Sequence, residues 1–209
     1  MSILNSVLEI VDVIRNPGWG RLLYRCLSPM PFRHYRKRGE YLAEAIPKGL
    51  KKYVLFVDGE AVGQVEYSPA EASAYPISGL DVWVLNCIWV LRRAGGRGFG
   101  RVLMRRVLES VGDARVIATI ALEGHPSPWF KLRHMEYLGF KSIDSRRMRH
   151  RVKHPEACFK THLMWMPLAE GAEPPSMNWK ALLRGVDFCI AHPLYRSERL
   201  GLEEIYENC

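Results

Sequence analysis

Two stretches of the chain are apolar at nearly every position, LDVWVLNCIWVL (80–91) and ARVIATIAL (114–122). Such runs predict strands covered on both faces, at the centre of a sheet. Before them, KKYVLFV and AVGQVEYS predict two more strands. Asp58-Gly59 between these predicts a tight hairpin, because that pair accepts positive φ. PAEASAYPISG (69–79) reads as a loop. Ile3, Val7, Ile10 and Ile14 recur at helical spacing and predict a helix over 2–15, interrupted by Pro17, Gly18 and Gly20. Pro29 and Pro31 precede a second helix, 33–46. A third runs from about Arg101 to Ser110. A fourth, PSPWFKLRHMEYLGF, ends at Gly139. KSIDS and THLMWMPL supply the last two strands of this unit. Strand hairpins therefore flank a βαβ unit. The order predicts an α/β (mixed α+β) fold with helices on both faces of a mixed sheet, not a doubly wound parallel one.

Length and composition refine the division. The chain of 209 residues has room for one full domain and a small appendage. AEGAEPPSMN (169–178) has a linker's composition. Beyond it VDFCI suggests a strand, and Ser197 suggests a cap for a helix over 198–207. The expected division is a helical lead (1–32), a main domain (33–168), a linker (169–178) and an appendage (179–209). The N-terminus lacks a basic start and a small-residue cleavage site, and no apolar run reaches the roughly 20 residues of a membrane span. Five cysteines, at 26, 87, 158, 189 and 209, form no CxxC pair and are odd in number. They predict thiols in a reducing cytoplasm, with no membrane partner.

The net charge of +8 admits a nucleic acid, an anionic membrane or a phosphorylated small ligand. Basic residues concentrate at 33–38, 92–106 and 146–154. The last of these is the best nucleic-acid candidate, but few aromatics are interleaved to stack on bases, so nucleic acid is disfavoured against a solvated face. His150, His154, Cys158 and His162 recur every four residues. Pro155 interrupts any helix that would align them, and no metal is expected.

RRAGGRGFGR (92–101) joins the apolar strand to a basic helix. Gly96, Gly98 and Gly100 let main-chain N–H groups converge without Cβ obstruction. The helix adds its positive end, and Arg97 and Arg101 can close on the same point. A phosphate or diphosphate is the natural occupant. The run is not a nucleotide P-loop, since no Gly-Lys-Ser/Thr occurs in it, nor a GxGxxG dinucleotide fingerprint.

CIWVLRRAGGRGFGRVLM (87–104) resembles the acetyl-CoA-binding motif of the GNAT superfamily of acyl-CoA N-acyltransferases, Gln/Arg-x-x-Gly-x-Gly/Ala. Its final Gly-x-Gly falls on Gly98-Phe99-Gly100. Gly95 stands at the Gln/Arg position, a departure that Arg93 or Arg97 can offset. WFKLRHMEYLGF is similar to the helix ending in LGF that follows the family's fifth strand. The tail resembles, faintly, the short YoaP-like segment appended to some members. The resemblance implies a sheet splayed between the family's fourth and fifth strands. It implies acetyl-CoA as co-substrate, bound by Ile88, Trp89, Val90 and Leu91 along the strand and by Gly95, Gly96, Arg97, Gly98, Phe99, Gly100 and Arg101 at the loop. It also implies attack by a primary amine on the thioester in a ternary complex.

Deprotonating a lysine-like amine at pH 7 costs about 4.6 kcal/mol, so a base is needed, and a donor must hold the oxyanion. In the family a main-chain N–H near Val90's position is that donor. The family's usual acid is a tyrosine four residues before the glycine of LGF; here that residue is Met135. Tyr137 lies about 200° around the helix from the glycine and faces elsewhere. The remaining candidates are Asn86 in the central strand, and Glu123 and His125 at the end of the next. Glu66 and Tyr67 are the residues of the second hairpin strand that can reach a substrate. The acceptor amine is not specified by the sequence, and a homodimer is left open. A non-catalytic acyl-CoA sensor and a basic nucleic-acid-binding protein are the alternative functions.

Overall fold

A computed structural model describes residues 6–24, 26–27, 36–126, 128–151, 155–183 and 206–209. The hairpin strands are β2 (Lys51–Val57) and β3 (Glu60–Pro69), turning through Asp58 and Gly59, both at positive φ. The apolar runs form β5 (Val82–Val90) and β6 (Val116–Glu123). Helix α3 (Phe99–Ser110) connects these two, and they pair in parallel, a right-handed βαβ unit by the usual rule. The main sheet is completed by β1 (Leu8–Asp12), β7 (Lys141–His150), β8 (Phe159–Pro167) and β10 (Tyr206–Asn208), in the order β1-β2-β3-β5-β6-β8-β7-β10. Every neighbouring pair except β5–β6 is antiparallel. This is the mixed, mostly antiparallel sheet expected.

Helices cover both faces. On β3 the positions of Gly63, Val65 and Tyr67 alternate across the sheet with those of Gln64, Glu66 and Ser68. Leu103 of α3 comes within 3.1 Å of where a Cβ on Gly63 would lie, and the Tyr67 hydroxyl bonds Ser110 Oγ at the end of α3. The opposite face carries α1 (Gly20–Tyr24) and α2 (Arg36–Ala45), through contacts of Leu23 and Arg38 with Lys52 and Glu66. The main core gathers Val65, Leu85, Leu103, Val107, Ile117, Ile120, Leu163 and their neighbours.

Several expectations are corrected. Residues 8–12 are a strand, not part of a helix, paired with β2 from Leu8↔Val57 to Asp12↔Tyr53. Ile10, Val11 and Val13 are β-branched, and burying Val11 and Val13 against Val54 and Phe56 outweighs the helical spacing. The helix expected over 126–140 forms only at α4 (Leu132–Tyr137), because Phe130 sits at φ +46 and Lys131 bridges Leu122 of β6. Strand β7 runs to His150, so half of the basic stretch 146–154 is strand. In it Met148 and His150 point inward while Arg146 and Arg147 stay exposed.

The far end of the chain returns to the main sheet. Tyr206–Asn208, expected as the end of a helix, is a strand on β7. It brings Cys209 to Cys158, and the two form a disulfide across 51 residues of sequence. The expectation of thiols throughout is wrong for this pair. Wide spacing hid it, because the partners meet only once β10 docks. Cys26 and Cys87 remain thiols. Cys189, the VDFCI segment and most of the YoaP-like segment lie outside the described residues. Within 169–178, β9 (Ser176–Met177) pairs with β4 (Ile77–Ser78) of the loop 69–79. Asn178 Oδ1 then accepts the Ala181 N–H at the start of α5 (Trp179–Leu183), whose Leu182 is buried in the main core. Among the described residues, no helix is long and apolar enough to cross a membrane and no group of three metal-ligating side chains forms.

Candidate functional site

The central strands part company early. β5 and β6 pair only from Val82–Val84 to Val116–Ala118; beyond that they diverge and leave a wedge-shaped opening. A bulge in β5 sits at the vertex, where Cys87 faces Glu66 and Leu85 faces Tyr67, so Asn86 is the extra residue. Further along, the Leu91 N–H donates to Val62 O at 2.8 Å. By the alternation of an antiparallel ladder, the main-chain groups of Trp89 and Cys87 also face β3, and those of Ile88 and Val90 face the opening. Of the four strand residues the resemblance selects, Ile88 and Val90 thus offer amides to the opening; Leu91 spends its N–H on β3.

The glycine turn closes the wide end. After a 3-10 turn at Arg92–Ala94, Gly96 and Gly98 both take positive φ, +76° and +78°, with open space where a side chain would be. Gly98 caps α3, its carbonyl accepting the N–H groups of Arg101 and Val102. Gly95 N–H is spent on Arg92 O. Among the described residues, the five consecutive N–H groups from Gly96 to Gly100 find no hydrogen-bond acceptor within the protein. Phe99 is buried and anchors the turn, and Gly100 lies under Leu138, the Leu of LGF. Arg97 lies 4.8 Å over the Phe99 ring and Arg101 4.1 Å over Tyr137, both exposed at the rim. Arg93 is paired with Glu60 at 3.0 Å. A ring of unpaired amides at a helix N-terminus beside two guanidinium groups is an arrangement that can bind an anion.

The three catalytic candidates do not meet. Asn86 is buried at the vertex. Its Nδ2 donates to Ser68 Oγ at 3.0 Å and to Tyr41 Oη at 3.3 Å, and its Oδ1 accepts from Ser73 Oγ at 2.8 Å. Burial and the nearby Glu66 carboxylate raise the Tyr41 phenol, so it stays a neutral donor, here to Ala72 O. Glu123 lies four residues past Thr119, about 13 Å farther along β6. It is ionised: hydrogen bonds from Lys160 and His162, at 3.1 and 3.2 Å, lower its carboxyl. His125 is buried, its Nε2 3.0 Å from Nε2 of His150 and its ring edge-on to Phe159. It packs under the strand ends, not at an exposed mouth. Met135 is 1% exposed, so the position of the family's acid is filled by a buried thioether, while Tyr137 is 59% exposed beneath Arg101. Glu66 and Tyr67 are both buried and engaged, with Arg38 and Ser110.

Sequence reasoning missed a polar layer under α2. Arg38 binds Glu66 with both Nη groups and also reaches Leu23 O at 3.0 Å. Beside them Lys52 is 1% exposed, its Nζ 3.3 Å from Leu23 O, and Gln64 bridges toward the sulfurs of Cys26 and Cys87. The signal was present: Lys52 and Glu66 interrupt strands otherwise buried on both faces. Desolvation, and then the Arg38 charge, lower the Lys52 ammonium to about 8. The unfolded chain therefore holds that proton to higher pH than the folded one, and stability rises with pH above 8. Denaturant unfolding from pH 8 to about 9.5, before unfolded tyrosines ionise, shows the rise. Lys52→Met flattens most of it; Lys51, lowered by desolvation, contributes in the same direction.

Residues 19–128 match the family model of the acetyltransferase (GNAT) family. A search of curated proteins gives no match. Solved structures share the fold. A GNAT-family protein from Desulfovibrio desulfuricans superposes with a TM-score of 0.57 at 16% identity, over 78% of this chain and 100% of that one. The ribosomal-protein-S18-alanine N-acetyltransferase of Escherichia coli gives 0.52 at 14% identity, over 80% and 97%. Arabidopsis thaliana Naa50, in complex with the bisubstrate analogue CoA-Ac-MVNAL, gives 0.52 at 15% identity, over 77% and 99%. With the family model covering more than half of its length, the splayed sheet and the amide-lined turn, this chain belongs to the GNAT acetyltransferase family.

Proposed function

We propose that this protein transfers an acetyl group from acetyl-CoA to a primary amine by direct attack in a ternary complex. The observation that carries this is the set of five unpaired amides from Gly96 to Gly100 at the mouth of the β5–β6 opening. The diphosphate of coenzyme A takes those amides, with Arg97 and Arg101 closing over it. The pantetheine arm lies along β5, exchanging hydrogen bonds with the main chain of Ile88 and Val90 as an added strand does. Its thioester then reaches the vertex, where a β5 N–H receives the developing oxyanion. The acceptor amine comes from the other side of the sheet. Glu123 and the Asn86 network offer polar groups to that route, and His125 acts through His150.

Micromolar acetyl-CoA raises the melting temperature, since a ligand at a hundred times its dissociation constant adds about 2.7 kcal/mol. An amine library then gives release of CoA thiol with the right acceptor. No thermal shift with any acyl-CoA contradicts the proposal. One observation favours a second reading, a non-catalytic acyl-CoA sensor: buried Met135 leaves the family's acid position without a proton donor. A sensor shows the thermal shift and releases no thiol. Binding to nucleic acid is disfavoured by the ion pairs Arg93–Glu60, Arg146–Asp144 and Arg149–Glu207, which neutralise part of the basic stretches 92–106 and 146–154.

A further inference from the structure

The vertex of the opening places four main-chain and side-chain groups under unusual demands. Where β5 and β6 separate, the carbonyls of β5 lose the backbone donors a continuing ladder would supply. Two of them are nevertheless bonded. Thr119 Oγ1, on β6 one residue past the last parallel pair, reaches across and donates to Leu85 O at 2.8 Å. From the other side Tyr75 Oη donates to Asn86 O at 3.0 Å. Both side chains are buried. The Asn86 side chain is itself held by Ser68, Ser73 and Tyr41, and Ser73 Oγ also accepts the Tyr75 N–H. The loop 69–79 is thereby stapled to the bulge.

We infer that Thr119 and Tyr75 are positioning residues for acyl transfer, whose hydroxyls cap the two bulge carbonyls so that β5 presents N–H groups to the thioester oxygen. The inference rests on the acetyl-CoA reading above. An uncapped carbonyl at the vertex would point its lone pairs into the region where negative charge develops, and would leave the bulge able to rotate about Asn86. With both carbonyls occupied, their lone pairs are engaged by protein donors and the orientation of the vertex is fixed from two elements, β6 and the loop 69–79. Neither hydroxyl touches the co-substrate; each acts through a backbone group.

The test needs no acceptor. The carbonyl stretch of [1-13C]acetyl-CoA is recorded by isotope-edited infrared spectroscopy, free and bound, alongside the dissociation constant of CoA. In the unaltered protein the bound band lies at lower wavenumber than the free one, because hydrogen bonding polarises the carbonyl. Thr119→Val and Tyr75→Phe each lose about half of that displacement or more, while the CoA dissociation constant changes less than about threefold and Thr119→Ser retains the band. Tyr75→Phe, on a separate element, carries the test if Thr119→Val folds poorly. A band unchanged in both variants, or one lost equally in Thr119→Ser, overturns the inference while acetyl-CoA binding stands. No binding of acetyl-CoA by the unaltered protein overturns the co-substrate reading and this inference with it.

Discussion

Glu66→Leu destabilises the protein by about 3–5 kcal/mol, more than Arg38→Met does, and the double variant recovers much of the loss. The order follows from the charges beneath α2. In the intact layer one carboxylate faces two cations, Arg38 through two hydrogen bonds and Lys52 through space. Removing Glu66 takes away the carboxylate that Arg38 binds with both Nη groups and that favours the Lys52 ammonium. Removing Arg38 leaves the carboxylate with Lys52, whose ammonium is then favoured by the neighbour instead of opposed by Arg38. Removing both spares Arg38 the loss of its carboxylate partner, and Lys52 can lose its proton. Urea unfolding of the three variants near pH 7 gives the ranking. Equal losses in the two single variants, or no recovery in the double, would show that the layer is held by packing and not by charge.

Gly98→Asp lowers affinity for acetyl-CoA by about 100-fold, the loss of one or two charge-assisted hydrogen bonds, while stability falls by about 1–2 kcal/mol from backbone strain. Aspartate bears the left-handed conformation of Gly98 better than most residues, and beyond its chain neighbours no atom lies within 4 Å of where its Cβ would be. The fold has room for it. Its carboxylate, however, is expected to enter the space ringed by the amides of Gly96 to Gly100 and to take the donors that the proposal assigns to the diphosphate. Titration calorimetry with acetyl-CoA, paired with thermal unfolding, separates the two effects. Retained affinity would place the diphosphate elsewhere.

What could be read from the sequence was local. The doubly buried runs at 80–91 and 114–122, the Asp58-Gly59 turn and the glycine turn before α3 each announce themselves within a dozen residues, and each is found in place. The 8–12 segment failed because Ile3, Val7, Ile10 and Ile14 satisfy a helical period while Val11 and Val13 satisfy a strand, and only the edge of β2 decides between them. The disulfide and the docking of Tyr206–Asn208 join residues far apart in sequence, with no local mark; of the Arg38–Glu66 pair only the interruption of a buried strand at Glu66 was visible. His125 was legible as a residue after a strand; that it would be buried against His150 was not. Thr119 looked like one more residue of a buried strand. Its hydroxyl matters only because the ladder stops one residue earlier.

The most direct measurement is the amide spectrum of 15N-labelled protein titrated with CoA. The account predicts that the proton resonances of Gly96, Arg97, Gly98, Phe99 and Gly100 move downfield together as their N–H groups acquire phosphate acceptors, and that pantetheine, which lacks the diphosphate, leaves them in place. Saturation with CoA while those five resonances stay where they were would contradict it.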